Sequence, residues 1–131
     1  MNGLIIDECG NKFYSLNDKL HREDGPACEY ADGTKKWFIN DQRHREDGPA
    51  CEFADGTKEW YLNGKYHKEN GPAVEFADGS KFWFINGKLH REDGPAIELS
   101  GGSKDWYVNG ERIICKDNKH FLRLMKLKAF W

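Results

Sequence analysis

The chain has 131 residues, with 32% charged and 14% aromatic residues and a formal net charge of −2. That length suits one domain, and the aromatic content excludes a disordered chain, which lacks such anchors. The near-neutral balance gives no general attraction to nucleic acid or anionic membrane, and no apolar run approaches the roughly 20 residues of a bilayer span.

Residues 1–5 read as a short leader, and Leu4-Ile5-Ile6 is too short for the apolar part of a signal peptide. A cytoplasmic location is therefore the default expectation. From residue 6 the chain repeats with a period of 23. The sequence His-Arg-Glu-Asp-Gly-Pro-Ala stands at 21–27, 44–50 and 90–96, with His-Lys-Glu-Asn-Gly-Pro-Ala at 67–73. Tyr14, Trp37, Trp60, Trp83 and Trp106 occupy one phase, and Asn17, Asn40, Asn63, Asn86 and Asn109 another. A fixed period of this length marks a repeat architecture.

Two hairpin signals alternate within each unit. Asp32-Gly33, Asp55-Gly56 and Asp78-Gly79 form one series; Asn63-Gly64 and Asn86-Gly87, with the weaker Asn40-Asp41, form the other. Asn-Gly and Asp-Gly supply the positive φ angles of tight hairpin turns, and the intervening Trp, Tyr, Phe and Ile favour strands. A two-residue loop at Asn63-Gly64 sets Leu62 against Lys65, Tyr61 against Tyr66 and Trp60 against His67. A two-residue loop at Asp55-Gly56 sets Glu52 against Glu59 and Cys51 against Trp60. Trp60 is then expected on one face, between Cys51 and His67, although the Glu52–Glu59 pair is like-charged. The 65–77 segment is longer than its partner strand, so the surplus is expected to leave the ladder at Gly71-Pro72, as a loop or bulge on one edge.

After Asn109-Gly110 the pattern stops, because Ile113 stands in the His position. Ile113-Ile114-Cys115 reads as the end of a last strand. Asp117 or Asn118 then caps a helix expected from about Lys119 to Phe130, with Phe121, Leu124, Met125 and Leu127 as its apolar stripe. An array needs its end covered, and residues 113–131 are the candidate cap. The basic tail is read as the solvated face of that helix, ahead of a nucleic-acid or membrane contact.

The unit Trp83-Phe84-Ile85-Asn86-Gly87-Lys88-Leu89-His90 and the Ala-Asp-Gly-Ser/Thr-Lys stretches at 31–35, 54–58 and 77–81 resemble the MORN repeat family, which shares the period. The resemblance covers residues 6–112 and is similar to the variant in phage and large-virus proteins. It implies a scaffold, dimerisation or adaptor role. The spacing departs from the usual motif, and the loop is larger and more acidic, which argues against carrying over lipid binding. The expected fold class is all-β: a single-layer antiparallel β-meander of 23-residue hairpin repeats, in one domain, with a short C-terminal capping helix.

Catalytic, metal and cofactor sites are not expected. Equivalent residues of neighbouring units lie on the order of 10 Å apart, two strand spacings. His44 and His67 therefore cannot share a zinc ion, and Cys28 and Cys51 cannot form a disulfide. Cys28 and Cys51 share a position with Val74 and Ile97, which marks an apolar slot. No nucleophile elbow, phosphate loop or CxxC pair is present.

The repeated loops carry the candidate partner-binding residues: His44, Arg45, Glu46 and Asp47; His67, Lys68 and Glu69; His90, Arg91, Glu92 and Asp93. The structural reading set beside it has His packed on Trp, the acids satisfying loop amides and Arg paired with a neighbouring acid. Trp37, Trp60, Trp83 and Trp106 form an aromatic face that serves structure or binding. The leading expectation is a non-catalytic protein-interaction module, directed at a host or defence protein that it inhibits. The alternative is a small-ligand or nucleotide-sequestering protein working through the aromatic face. Open sheet edges favour self-association, so a homodimer is a further expectation.

Overall fold

The computed structural model describes residues 3–127. It is an array of antiparallel β-hairpins, unclosed into a barrel, followed by one helix, α1 (Asn118–Lys126). One long sheet runs the length of the array. Its path passes from Gly3–Ile6 and Lys12–Leu16 through Cys28–Glu29, Lys35–Lys36, Cys51–Glu52, Lys58–Glu59, Val74–Glu75, Lys81–Phe82 and Ile97–Glu98 to Lys104–Val108 and Glu111–Ile113. Three two-stranded hairpins stand beside it: Phe38–Ile39 with Gln42–Arg43, Tyr61–Leu62 with Lys65–Tyr66, and Phe84–Ile85 with Lys88–Leu89.

The Trp position is where each unit divides between the two systems. Lys58–Glu59 belongs to the long sheet and Tyr61–Leu62 to a side hairpin, with Trp60 between them. The Trp60 amide donates to the Ala73 carbonyl at 2.7 Å, and its carbonyl accepts from the His67 amide at 3.0 Å. The chain is thus bent rather than broken at Trp60.

The Asn-Gly turns pair as expected, Tyr61 with Tyr66 and Leu62 with Lys65. Asn63 takes φ 51° and Gly64 φ 80°, the two positive angles of the primed turn. The Asp-Gly turns do not follow the two-residue expectation. Cys51 pairs with Glu59 and Glu52 with Lys58, one residue out of the expected register. The Phe53 amide donates to the Thr57 carbonyl and the Gly56 amide to the Phe53 carbonyl. The loop therefore holds three residues, Ala54-Asp55-Gly56, with Gly56 at φ 97° in the left-handed position of a bulged turn.

This shift has an electrostatic reason. Glu52 now faces Lys58 instead of Glu59. The same register runs across the sheet: Lys12, Glu29, Lys35, Glu52, Lys58, Glu75, Lys81, Glu98 and Lys104 are successive cross-strand partners, alternating in sign throughout. Opposite charges facing across strands stabilise a sheet and like charges weaken it. The expected placement of Trp60 beside Cys51 is corrected with it. Cys51 neighbours Glu59, and Trp60 falls on the opposite face.

The core is thin and repeats with the units. Ala27, Ala50, Cys51, Ala73 and Ala96 are fully buried, and Cys28 and Val74 nearly so. Around Ala50 and Cys51 pack Tyr61, Trp37, Phe53 and Tyr66. The helix closes the far end. Asp117 caps it by accepting from the His120 amide at 2.8 Å, and Phe121 and Met125 bury against Trp106. The helix ends earlier than expected, at Lys126, with Leu127 as its C-cap. Phe130, where the expected helix was to end, lies outside the described residues.

Candidate functional site

Each residue of the repeated loop has its own place in the array. The histidine ties one unit to the next. Nδ1 of His21, His44, His67 and His90 accepts from the backbone amides of Asn40, Asn63, Asn86 and Asn109 at 3.1, 2.9, 3.0 and 2.9 Å. Each donating amide opens the Asn turn of the following unit. A nitrogen that accepts from an amide carries no proton, so the proton sits on Nε2. In His67 and His90, Nε2 lies 3.2 and 3.1 Å from Glu69 and Glu92.

The next residue, a cation, lies over the aromatic ring of its own unit. The guanidinium of Arg45 is 3.9 Å from the Trp37 ring centre, that of Arg91 is 3.9 Å from Trp83, and that of Arg22 is 4.0 Å from Tyr14. Lys68 takes the same place over Trp60 at 3.8 Å. Arg45 also donates to Asp47 at 3.0 Å, to the Pro49 carbonyl at 3.1 Å and to Glu52 at 2.8 Å. Arg91 repeats the set with Asp93, Pro95 and Glu98. A cation over a ring, with carboxylates at hydrogen-bond distance, is held by charge-assisted bonds and by the ring quadrupole together.

Glycine in the motif leaves room for that arginine. A Cβ on Gly48 would stand 2.8 Å from Arg45 Cζ, and one on Gly94 would stand 2.7 Å from Arg91 Cζ. At Gly71 the contact is with Lys68 Cε at 3.3 Å, a looser fit beneath a slimmer side chain. The motif is therefore a self-completing unit. Histidine joins neighbours, arginine covers the ring and binds three oxygens, glycine leaves room, and alanine packs in the core.

The opposite edge of the sheet carries a second clasp. Thr34 and Thr57 hydroxyls accept from the amides of Ala54 and Ala77 at 3.1 Å, and Ser80 accepts from Ser100 at 3.0 Å. Asp32 and Asp78, accepting from the amides of Thr34 and Ser80 at 2.8 Å, hold the same turns. Those amide bonds keep both carboxyls below the usual range.

The candidate residues thus divide. His67 is buried, His44 and His90 are partly buried, and Arg45, Lys68 and Arg91 lie against rings. The carboxylates point outward: the side chains of Glu46, Asp47, Glu69 and Asp93 are 86, 88, 77 and 85% exposed, and that of Glu92 is 52% exposed. Glu23 and Asp24 in the first loop extend the row. Between successive loops lie open grooves. One of about 880 Å³ has Trp37 and Ile39 on its lining, and one of about 740 Å³ has Trp83 and Ile85.

Trp106 has no such loop after it. α1 takes the place of the arginine: Phe121 lies 6.3 Å from the Trp106 ring, and Asn118 accepts from the indole N–H at 3.0 Å. Among the described residues, no group of three or more His, Cys, Asp or Glu could hold a metal ion, and no helix is long and apolar enough to cross a membrane. Burial raises the Cys28 thiol and pushes that of Cys51 up to about 11. Both stay protonated and unreactive at neutral pH.

Sequence reasoning singled out the loop but missed Glu52, Glu98 and the Thr34, Thr57 and Ser80 clasps. Their signal was present. Glu29, Glu52, Glu75 and Glu98 recur seven residues after the loop cation, and Thr or Ser recurs after Asp-Gly. Comparison with protein-family models and with curated proteins finds no match.

Proposed function

We propose that the array is a non-catalytic protein-interaction module that binds through its row of loop carboxylates, and that its partner presents a basic surface. The observation that carries this reading is the division of labour within each loop. The cations are turned inward onto rings and oxygens, while Glu23, Asp24, Glu46, Asp47, Glu69, Glu92 and Asp93 extend outward along one line. Repeated equivalent contacts convert weak individual interactions into avidity. The MORN-like pattern, in its phage and large-virus form, extends the proposal to an inhibitor of a host or defence protein.

The test is affinity capture from host lysate with the wild type and with the triple variant Glu46→Lys, Glu69→Lys, Glu92→Lys. These carboxylates are exposed and do not hold the arginines, but Glu69 and Glu92 lie beside His67 and His90; circular dichroism therefore checks that the variant keeps its fold. Capture that falls with the charge reversal and with added salt supports the proposal; capture that ignores both sinks it.

The second reading, a ligand-sequestering protein, draws on the grooves lined by Trp37 and Trp83. Against it, one face of each of these rings already carries a guanidinium at 3.9 Å. Calorimetry against nucleotides and sugars separates the two, because sequestration predicts several equal sites.

A further inference from the structure

The two ends of the array are finished differently. At the C-terminal end, α1 packs over Trp106, Val108 and Ile113. At the other end, the first strand, Gly3–Ile6, pairs with Lys12–Leu16 on one side, and none of the described strands pairs with its other side. Leu4, Ile5 and Ile6 are 48, 53 and 57% exposed. This edge lacks the charges, prolines and bulges with which sheet edges resist pairing.

We propose that this strand pairs antiparallel with the same strand of a second copy, about a two-fold axis through Ile5, joining two arrays into one continuous sheet. The backbone phase permits it. The Asp7 amide bonds the Asn11 carbonyl, so Asp7 is a bonded position toward the second strand. Bonded and non-bonded positions alternate in an antiparallel ladder. Ile5 is then also bonded inward, while Leu4 and Ile6 turn their amide and carbonyl groups outward.

About the two-fold axis, Leu4 meets Ile6 of the second copy and Ile6 meets its Leu4. All four positions present outward groups. Ile5 meets Ile5 as a non-bonded pair, the closer kind.

Side chains and charges agree with this register. Ile5 shares a face with its partner Phe13, which is paired in turn with Cys28, so an apolar row continues across the junction. Asp7 would stand opposite Gly3 of the second copy, which has no side chain, so no like charges face each other. The proposal concerns self-pairing at the first strand and does not depend on what the acidic loops bind.

The test is sedimentation velocity on the full chain across a concentration series, with Ile5→Lys as the disrupting variant. Two lysines facing across the axis, in place of two isoleucines that the junction would bury, are expected to weaken the dimer by at least about tenfold. Circular dichroism checks that the variant folds.

A crosslink decides independently of that variant. In a Cys9→Ser, Cys115→Ser background, Ile5→Cys is expected to give a disulfide-linked dimer on mild oxidation, and Ile114→Cys, at a still more exposed site near the other end of the array, is not. A wild type that stays monomeric, a dimer indifferent to Ile5→Lys, or crosslinking equal at both sites would overturn the proposal.

Discussion

Nδ1 of His67 accepts the backbone amide of Asn86 at 3.0 Å, so a side chain of one unit completes the turn of the next. With the Thr57 hydroxyl accepting from Ala77 on the opposite edge, each unit is fastened to its successor at both ends of its strands. Stability in such an array is a sum of unit and interface terms. Cutting one interface is therefore expected to weaken the whole.

His67→Ala removes the acceptor from a partly buried amide. The expected loss is about 1–3 kcal/mol, the usual consequence of leaving such a group unsatisfied. Urea denaturation should show a lower midpoint. His67→Asn, whose side-chain oxygen can accept from the same amide, should recover part of it. Equal losses in both variants would place the effect in packing instead of the hydrogen bond.

Gly94→Ala and Gly71→Ala should differ. The first pushes a methyl against Arg91 Cζ at 2.7 Å, the second against Lys68 Cε at 3.3 Å. Moving Arg91 disturbs its bonds to Asp93, Pro95 and Glu98, whereas the lysine can slide. We expect Gly94→Ala to cost about 1–3 kcal/mol and Gly71→Ala well under that, read as urea midpoints.

Phe121→Ala uncovers Trp106. Phe121 is fully buried, and truncation of such a side chain costs about 3–5 kcal/mol. Amide hydrogen exchange should accelerate first in residues 104–113, with the early units affected less. Uniform acceleration throughout the array would show that it unfolds as one cooperative block.

Thiol labelling should resolve the cysteines. Cys9 is exposed and should react at once with a disulfide reagent at pH 8, while buried Cys28 and Cys51 should wait for unfolding. A thiol pushed up to about 11 holds almost no thiolate at that pH. Raising the pH toward 11 without unfolding should begin to expose Cys51 to the reagent only as far as local opening allows.

Acid should loosen the Asp-Gly turns. Asp32 and Asp78 are held below 3.8 by the amides of Thr34 and Ser80. A depressed folded pKa contributes stability that is present above the unfolded value and disappears as the pH falls through the folded one. Thermal melts should therefore lose stability below about pH 4, and Asp32→Asn with Asp78→Asn should flatten that dependence.

Much of the architecture was legible in one dimension, for a physical reason. The turn residues Asn63 and Gly64 impose positive φ angles locally, and a 23-residue recurrence imposes like structure on like sequence. Hairpins, their Asn-Gly register and the projecting loop followed from those local constraints, and the end-capping helix from its Asp117 cap and apolar stripe beyond the repeat. The Asp55-Gly56 register did not. Two- and three-residue loops suit the same dipeptide, and the choice between them lies in Glu52 meeting Lys58 across the sheet.

The roles within the loop were legible only in part: Arg paired with a neighbouring acid was expected, whereas the histidine bond to the next unit's Asn turn was not. His, Arg, Glu and Asp are all polar and adjacent, so nothing in their order says which turn inward. Only the folded array brings His67 beside Asn86, 19 residues away, and lays Arg91 on Trp83. Those contacts form between strands and between units, where distance along the chain carries no information about distance in space. The sequence thus specified a row of near-identical loops; the tertiary structure decided that their cations lie on the rings and that their carboxylates face outward.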